Sequence, residues 1–492
     1  MRQSILTLFV VALLSMFSRE SQAKVTIASK TFTENVLLGD IAAVLASSEN
    51  IATKHLRGLG GTRIVFNALD HKEIDLYFEY TGTLAKELFK DKNWREELDK
   101  KGIAVTEPLG FNNTYAFAVT EKLAKELNLE KISDLKNHRQ LHFGFGNEFL
   151  NRGDGWPGIK AAYDLNPSSV TGMQHELAYR GIAAGSIQLM DAYSTDANVK
   201  HYKLKTLIDD KKYFPEYFAV ALYRKELART HPKLVAALKG LEGSINNDRM
   251  LELNARVKIG KESSRKVASD FVEKTFSRNA VLEESNASET LVKNLLDHLA
   301  LSGISLLAAI LIAIPLGILA VNFEKFGKVI LGIVSMVQTI PSLALLVFLI
   351  PLFGVGTLPA LVALFMYSLL PIVQNTHQGI RDIPNHLRES ATVMGLPKLF
   401  QIRNIDIPMA MPSILAGVKT AAVINIGTAT LGAIIGAGGF GQAILTGIRL
   451  DDMHLILSGA IPACLLALLA QGMFDLLSYV LVPEPLRERS NT

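Results

Sequence analysis

The sequence contains one cysteine, Cys464, in 492 residues. That excludes disulfides within the chain and metal sites built on cysteine. It also leaves no cysteine near the N-terminus to carry a bacterial lipid anchor. Strong net charge is missing as well: 51 basic and 47 acidic residues leave +4. Without a basic excess or cluster to neutralise phosphates, nucleic acid is not an expected partner. Charge is scarce in one region in particular. From Leu291 onward only 21 residues of 202 are charged, against 77 in the first 290. The first stretch is as charged as a soluble protein, and the second is rich in Leu, Ile, Ala and Gly. A single soluble enzyme does not fit that split. Catalytic arrangements are also missing: there are no paired catalytic carboxylates, no Ser/His/Asp set and no metal-spaced histidines, and His175-Glu176 lacks the second histidine of a zinc protease.

Residues Met1–Ala23 read as a secretory signal. Arg2 supplies the positive start, Ile5–Phe17 the apolar core, and Ser21-Gln22-Ala23 the small residues of a cleavage site. An uncleaved anchor is the alternative, but the apolar run is shorter than the ~20 residues a span needs. Five spans are expected beyond Leu291: Leu291–Val321, Val329–Phe353, Leu358–Asn375, Pro412–Ile435 and His454–Val482. Lys325, Lys328, Arg381, Arg388, Lys398, Arg403, Arg487 and Arg489 then fall on the cytoplasmic side, and only Arg449 on the other. This agrees with the positive-inside rule and with export of the first half. Prolines recur within the spans, at 315, 341, 351, 371 and 462. Such breaks suit a channel or transporter core better than an anchor. Gln338, Thr339, Ser342, Asn425 and Thr428 either line a path or bond helix to helix, and both readings stand.

Between Lys24 and Ser277, short β-branched or aromatic runs alternate with amphipathic stretches, which predicts α/β layers with mainly parallel sheets. Strands are expected at Val25–Ala28, Arg63–Phe66, Tyr115–Thr120, His142–Phe145, Ile187–Asp191 and Tyr217–Tyr223. Helices are expected at Asn35–Ala46, Glu121–Asn128, Gly158–Tyr163 and His231–Leu241. The runs beginning at Tyr115 and Tyr217 resemble each other and divide the domain into thirds, as two crossover strands joining two lobes would.

Motifs in this half carry a resemblance. Ser29-Lys30-Thr31-Phe32-Thr33-Glu34, Glu79-Tyr80-Thr81-Gly82-Thr83, Asn112-Asn113-Thr114-Tyr115, Arg152-Gly153-Asp154-Gly155, Ala192-Tyr193-Ser194-Thr195-Asp196 and Phe214-Pro215-Glu216-Tyr217 occur in order. Together the half resembles substrate-binding proteins of ABC importers for choline, glycine betaine and carnitine, a family that includes binders of ergothioneine. The resemblance implies a two-lobed α/β periplasmic-binding-protein fold and a small cationic or zwitterionic ligand. Quaternary ammonium groups donate no hydrogen bonds and are held by the negative faces of aromatic rings, at about 0.5–2 kcal/mol per contact. Tyr80, Tyr115, Tyr193 and Tyr217 are the implied cage, with Tyr80 and Tyr193 from opposite lobes, and Thr83 a supporting contact. Asn35 stands where relatives commonly carry glutamine, which puts a ligand contact there in doubt. Arg152 and Asp154 either orient a ligand charge or pair with each other at the lobe boundary.

The apolar half resembles ABC importer permeases. Glu389-Ser390-Ala391, then Gly395, then Ile405-Asp406-Ile407-Pro408 keep the spacing of the loop that docks on a cytoplasmic ATPase. Gly436-Ala437-Gly438-Gly439-Phe440-Gly441 matches a dinucleotide fingerprint formally, but it lies among apolar spans without the required strand. Its glycines suit close packing or a break at a gate. ATP is therefore expected on a partner ATPase subunit, with no cofactor in this chain. The expected organisation is a signal at 1–23, a binding domain at 24–277, a linker at 278–290 and an all-α polytopic permease at 291–492. A homodimer in the bacterial inner membrane, with the binding domain outside, is the simplest assembly.

Overall fold

The computed structural model describes residues 24–90, 92–278, 287–450 and 452–483. The signal segment and most of the expected linker lie outside these residues. The first half contains two five-stranded sheets. Strands β1 (Val25–Lys30), β2 (Thr53–Gly60), β3 (Leu76–Tyr80) and β4 (Ile103–Val105) belong to lobe 1. Strands β5 (Tyr115–Thr120), β6 (His142–Gly146), β7 (Ser169–Met173), β8 (Leu189–Tyr193) and β9 (Leu204–Leu207) build lobe 2, and β10 (Ala219–Arg224) returns to lobe 1. The sheet orders are β2-β1-β3-β10-β4 and β7-β6-β8-β5-β9. In each sheet one strand runs against the rest: β10 pairs antiparallel with β3 and β4, and β5 with β8 and β9. These are the crossover strands, so the similarity of the two tyrosine-led runs reflects equivalent places in the lobes.

The two connections between lobes run side by side. Asn113 N–H donates to Tyr217 O at 3.0 Å, and Tyr217 N–H donates to Asn112 Oδ1 at 2.8 Å. A bonded pair of short segments is a hinge about which the lobes can turn.

Helix α1 (Thr33–Ser48) comes directly after β1 and is buried from Thr33 through Ala46. Helix α2 (Thr62–Asp70) corrects one expectation, because Arg63–Phe66 lies inside it rather than in a strand. The β-branched run suggested extension, but Val65, Phe66 and Leu69 share a helical face that packs into lobe 1. Strand starts at 187 and 217 each shift two residues later, to Leu189 and Ala219. Helix α3 (His175–Ala183) belongs to lobe 2, while α4 (Asn247–Lys258) and α5 (Ser264–Phe276) close lobe 1.

The second half is helical: α6 (Ala287–Asn322), α7 (Glu324–Thr339), α8 (Ser342–Phe353), α9 (Thr357–Arg381), α10 (Asn385–Val393), α11 (Ile407–Ala429), α12 (Gly441–Leu450) and α13 (Met453–Leu481). Four helical stretches among the described residues are long and apolar enough to cross a membrane, or five if the bent pair α7–α8 is one span. The expected span Val329–Phe353 is therefore two helices meeting at 101°. Pro341 explains the break: it has no N–H to donate and forces Ile340 into extended backbone. The Tyr367 hydroxyl donates to the Ile340 carbonyl there. The fourth span starts at Ile407 rather than Pro412 and ends in a tighter 3₁₀ segment, Thr430–Ile435.

Lobe 1 contacts the helical half at two turns. Glu73 Oε2 accepts from Val355 N–H at 2.7 Å, and Leu56 and Leu59 lie beside Gly436. Both turns are therefore on the receptor side, and residues 382–406 lie at the opposite ends of α9 and α11. This is the direction that the loop charges require.

Candidate functional site

The carboxyl ends of parallel strands and the amino ends of the reversed strands converge where the lobes face each other, the usual place for a ligand in an α/β sheet. Tyr80 ends β3, Tyr193 ends β8, Tyr115 begins β5, and Tyr217 leads into β10. Phe32, at the turn from β1 into α1, joins them. It lies 6.0 Å from the Tyr80 ring and stacks on Tyr193 at 5.7 Å across the lobes. Tyr115 meets Tyr193 at 5.2 Å and Tyr217 edge-on at 5.5 Å. Phe149 and Phe214 extend the wall behind Tyr115. The four tyrosines thus belong to one aromatic wall.

Their ring faces are not equally free. Lys30 Nζ sits 5.2 Å from the Tyr80 centroid, and the Arg152 guanidinium 5.7 Å from that of Tyr115. Of the tyrosines named from the sequence, Tyr193 lines the open pocket, which has about 250 Å³ of empty space. The pocket is completed by Phe32, Thr33, Glu34, Asn113, Thr195 and Asn254, with Glu176, Asp196 and Lys258 at one end.

Glu34 is the centre of this arrangement. It occupies the first turn of α1, where the helix dipole favours a carboxylate. Tyr80 Oη and Asn113 Nδ2 donate to its Oε1, each at 2.7 Å. Thr195 Oγ1 and Asn254 Nδ2 donate to Oε2, the latter at 3.0 Å. Lobe 1, the hinge and lobe 2 thus share one buried acceptor. Burial pushes the Glu34 carboxyl pKa up, although all four donors pull it down.

Lys258 makes a second connection between lobes. From the end of α4 its Nζ reaches Asp196 and Glu176 of lobe 2, both at 3.1 Å. His175 Nδ1 pairs with Asp191 at 3.2 Å, and its Nε2 lies 3.7 Å from Asp196. Burial opposes protonation of His175, but the Asp191, Asp196 and Glu176 charges outweigh it and raise the pKa to about 10. Burial would raise the Asp196 carboxyl, yet Lys258 and His175 hold it well below the usual range. The cluster is paired internally, cation against carboxylate. Across the lobes, Thr62 N–H at the start of α2 also donates to Glu148 at 2.8 Å.

The other residues named from the sequence have structural partners. Arg152 and Asp154 form a buried two-bond pair, at 2.8 and 2.6 Å. Arg152 also donates to Thr83 Oγ1 of lobe 1 at 3.3 Å, and Tyr217 Oη donates to Asp154 at 2.8 Å. The pair thus holds Thr83 and Tyr217 in place. Asn35 faces main chain: its Oδ1 accepts from Lys30 N–H at 2.7 Å and its Nδ2 donates to Phe78 O at 2.9 Å. It locks α1 to β1 and β3. Phe32, Glu34, Asn113 and Thr195 lie within the sequence motifs without any local sign of their role, whereas Asn254 and Lys258 belong to no motif at all.

On the opposite side of the helical half, Glu389 and Ser390 lie exposed on α10 while Ala391 is buried. Gly395, at φ +70°, ends that helix in the left-handed region glycine favours. Arg388 Nε donates to Asp406 at 3.1 Å and ties α10 to the turn preceding α11. Ile405 and Pro408 are half-buried beside it. Val393, Met394 and Leu399 stand 88%, 74% and 77% exposed. An apolar knob held on a braced loop is suited to insertion into a partner's groove.

A two-lobed receptor with an aromatic cleft, carried on a polytopic helical domain, defines a membrane-bound subunit for solute uptake. Comparison with known proteins gives the family. Residues 23–274 match the substrate binding domain of ABC-type glycine betaine transport systems, and residues 309–484 match the inner membrane component of binding-protein-dependent transport systems. The chain belongs to this family and carries both parts in one polypeptide. The choline transport system permease protein OpuBB of Bacillus subtilis (strain 168) is 40% identical over 200 residues, covering 41% of this chain and 92% of that protein. The carnitine transport permease protein OpuCB of Listeria monocytogenes is 44% identical over 191 residues, 39% of this chain and 88% of its own. The ergothioneine transport permease/ergothioneine binding protein EgtU of Helicobacter pylori (strain G27) is 34% identical over 263 residues, 50% of this chain and 47% of its own. The chain is thus the fused binding and permease subunit of an ABC importer in the membrane, its receptor half on the outer side.

Proposed function

We propose that this subunit imports a solute bearing a methylated ammonium, such as glycine betaine, choline or carnitine. The observation that carries this reading is the stack of Phe32 and Tyr193 across the cleft, backed by Tyr115, Tyr80 and Tyr217. A cation that enters between two such rings gains cation–π attraction without needing to donate a hydrogen bond. Glu34 ties both lobes to the hinge, so closure on the ligand and assembly of the four donors around Glu34 are one event. The closed lobes then present a different surface to the permease, shifting its population toward the form that admits solute.

ATP binding and hydrolysis belong to a partner subunit in this reading, docked on residues 389–408 with Val393, Met394 and Leu399 in its groove. Two copies of the chain with two ATPases complete the path, and Arg152–Asp154 positions Tyr217 rather than meeting the ligand. Ergothioneine, itself a betaine, is the second reading. It is favoured by a relative whose printed name combines permease and binding protein for that solute.

The test is calorimetry of the full chain in lipid nanodiscs against glycine betaine, choline, carnitine and ergothioneine, then uptake of the bound solute into liposomes containing the ATPase. One member should bind and be accumulated only with ATP. Equal uptake without ATP would sink the importer reading, and binding of none of the four would sink the ligand class.

A further inference from the structure

Helix α11 changes to 3₁₀ geometry at Thr430, whose N–H bonds to Gly427 O rather than to the carbonyl four residues back. The Ile426 carbonyl is thereby released from the helix. His298 on α6 meets it, its Nε2–H donating at 2.9 Å. His298 is fully buried, and its Nδ1 has no hydrogen-bond partner. An ionisable side chain buried among membrane helices is costly and is kept where it has work to do.

The glycine motif lies just beyond this point in the chain. Gly436, Gly438 and Gly439 all have φ between +78° and +86°, so the chain folds back before α12. A Cβ on Gly439 would lie 3.0 Å from His298 Nδ1. The ring of Phe440, itself buried, lies 5.1 Å from the imidazole. The loop is therefore seated on His298 from above. Its other face meets the receptor, with Leu56 and Leu59 of β2 beside Gly436. Beneath the 3₁₀ segment is a small, partly open cavity lined in part by Ser342, Tyr367, Thr428 and Gly432.

We propose that residues 430–441 form an outer gate over this cavity and that His298 is the positioning residue that holds the gate shut beneath the docked lobe. One nitrogen holds the end of the span and the other abuts the loop. A change at lobe 1 that lifts the loop is thus felt at the carbonyl ending the transmembrane helix. The inference rests on the transport reading of the helical half, but not on which solute is carried.

The test uses the full chain with its ATPase in liposomes, carrying Cys464→Ser and Ala437→Cys, and a membrane-impermeant maleimide added outside without solute. With His298 present, labelling at 437 should be slow. His298→Leu should accelerate it at least tenfold, and His298→Gln, which keeps an amide donor, should restore at least half of the protection. A rate in His298→Leu within twofold of the His298 background overturns the proposal, as does failure of His298→Gln to protect. If His298→Leu does not accumulate, Gly439→Ala decides: it leaves the histidine in place but strains the loop off it, and unchanged labelling there overturns the gate. Absence of ATP-driven uptake by the unsubstituted chain would instead strike the transport reading, which the labelling does not measure.

Discussion

The two halves of this chain bury polar groups in opposite ways. The receptor half buries charge and pairs it across the lobes or within them: Lys30 with Glu79, Arg152 with Asp154, and Lys258 with Asp196 and Glu176. The helical half buries mostly small uncharged groups, such as Ser302, Ser305, Ser368, Thr376 and Asn425. The surfaces differ in the reverse sense. Among the described residues, only Leu177, Ile208 and Ile259 are large hydrophobics exposed in the receptor half, whereas the rest of that class lie from Leu291 onward. Each half is built against its own solvent. In water, charges can separate when the lobes open, so a pair can serve as a latch. In lipid an opened charge has nowhere to go, and helices are joined by packing and single hydrogen bonds.

Breaking the receptor's shared acceptor should have the largest effect. Glu34→Ala removes the group that Tyr80, Asn113, Thr195 and Asn254 all reach. Solute affinity by calorimetry is expected to fall at least a hundredfold. Next is the latch: Lys258→Ala removes the cation that joins lobe 1 to Asp196 and Glu176, leaving Asp196 its contacts with His175 and Tyr179 inside lobe 2. A stopped-flow measurement should show solute leaving at least thirtyfold faster. A smaller effect is expected in the aromatic wall, where Tyr193→Ala or Tyr217→Ala should each weaken binding at least tenfold. Unchanged affinity in both would refute the cage.

The same comparison has a pH dependence. His175 has a raised pKa, so its contribution to stability is complete below the ordinary histidine value of 6.5 and is lost as pH rises through about 10. Asp196 acts at the other end, contributing above 3.8 and losing its contribution as acid protonates it. Thermal unfolding of the receptor half should therefore shift to lower temperature between about pH 6.5 and 10, and His175→Asn should flatten that slope. The smallest effect is expected in the membrane. Asn425 donates to Ser305 Oγ at 2.8 Å, and such bonds between membrane helices average about 0.6 kcal/mol. Asn425→Leu should change stability by about that amount. A loss as large as that from Lys258→Ala would erase the contrast between the halves.

Local pattern carried much of this structure. The tyrosine-led runs at 115 and 217 mark the crossovers because a buried strand is a short apolar run whatever its neighbours. The loop at 389–408 is readable through its resemblance to importer permeases, with Gly395 and Pro408 at the family's offsets. Arg63–Phe66 misleads because a run of three apolar residues suits either state, and only its shared face with Leu69 decides. The bend at Pro341 is visible as a proline but not as a 101° turn, since prolines at 315, 351, 371 and 462 lie inside continuous helices.

The site is legible to a similar degree. Motifs bring Tyr80, Tyr115, Tyr193 and Tyr217 into view, and Phe32 and Glu34 lie within those motifs with nothing to distinguish them. Asn254 and Lys258 are beyond reach, because nothing in helix α4 marks a residue that meets a carboxylate 220 positions away.

Composition by itself determined that this chain has two halves in two solvents, short apolar runs pointed to its crossovers, and the loop at 389–408 stood out through its resemblance to importer permeases. These depend on residues within a turn or two of each other. The Arg152–Asp154 pair, two residues apart, was one of two readings open in the sequence, and the structure selects it. Tertiary contacts alone bring Glu34 to both lobes and His298 to the carbonyl ahead of the glycine loop. Each of those needs groups from separate segments or turns to arrive within about 3 Å, the range in which a buried hydrogen bond forms. That convergence is set by how the lobes close and the helices cross.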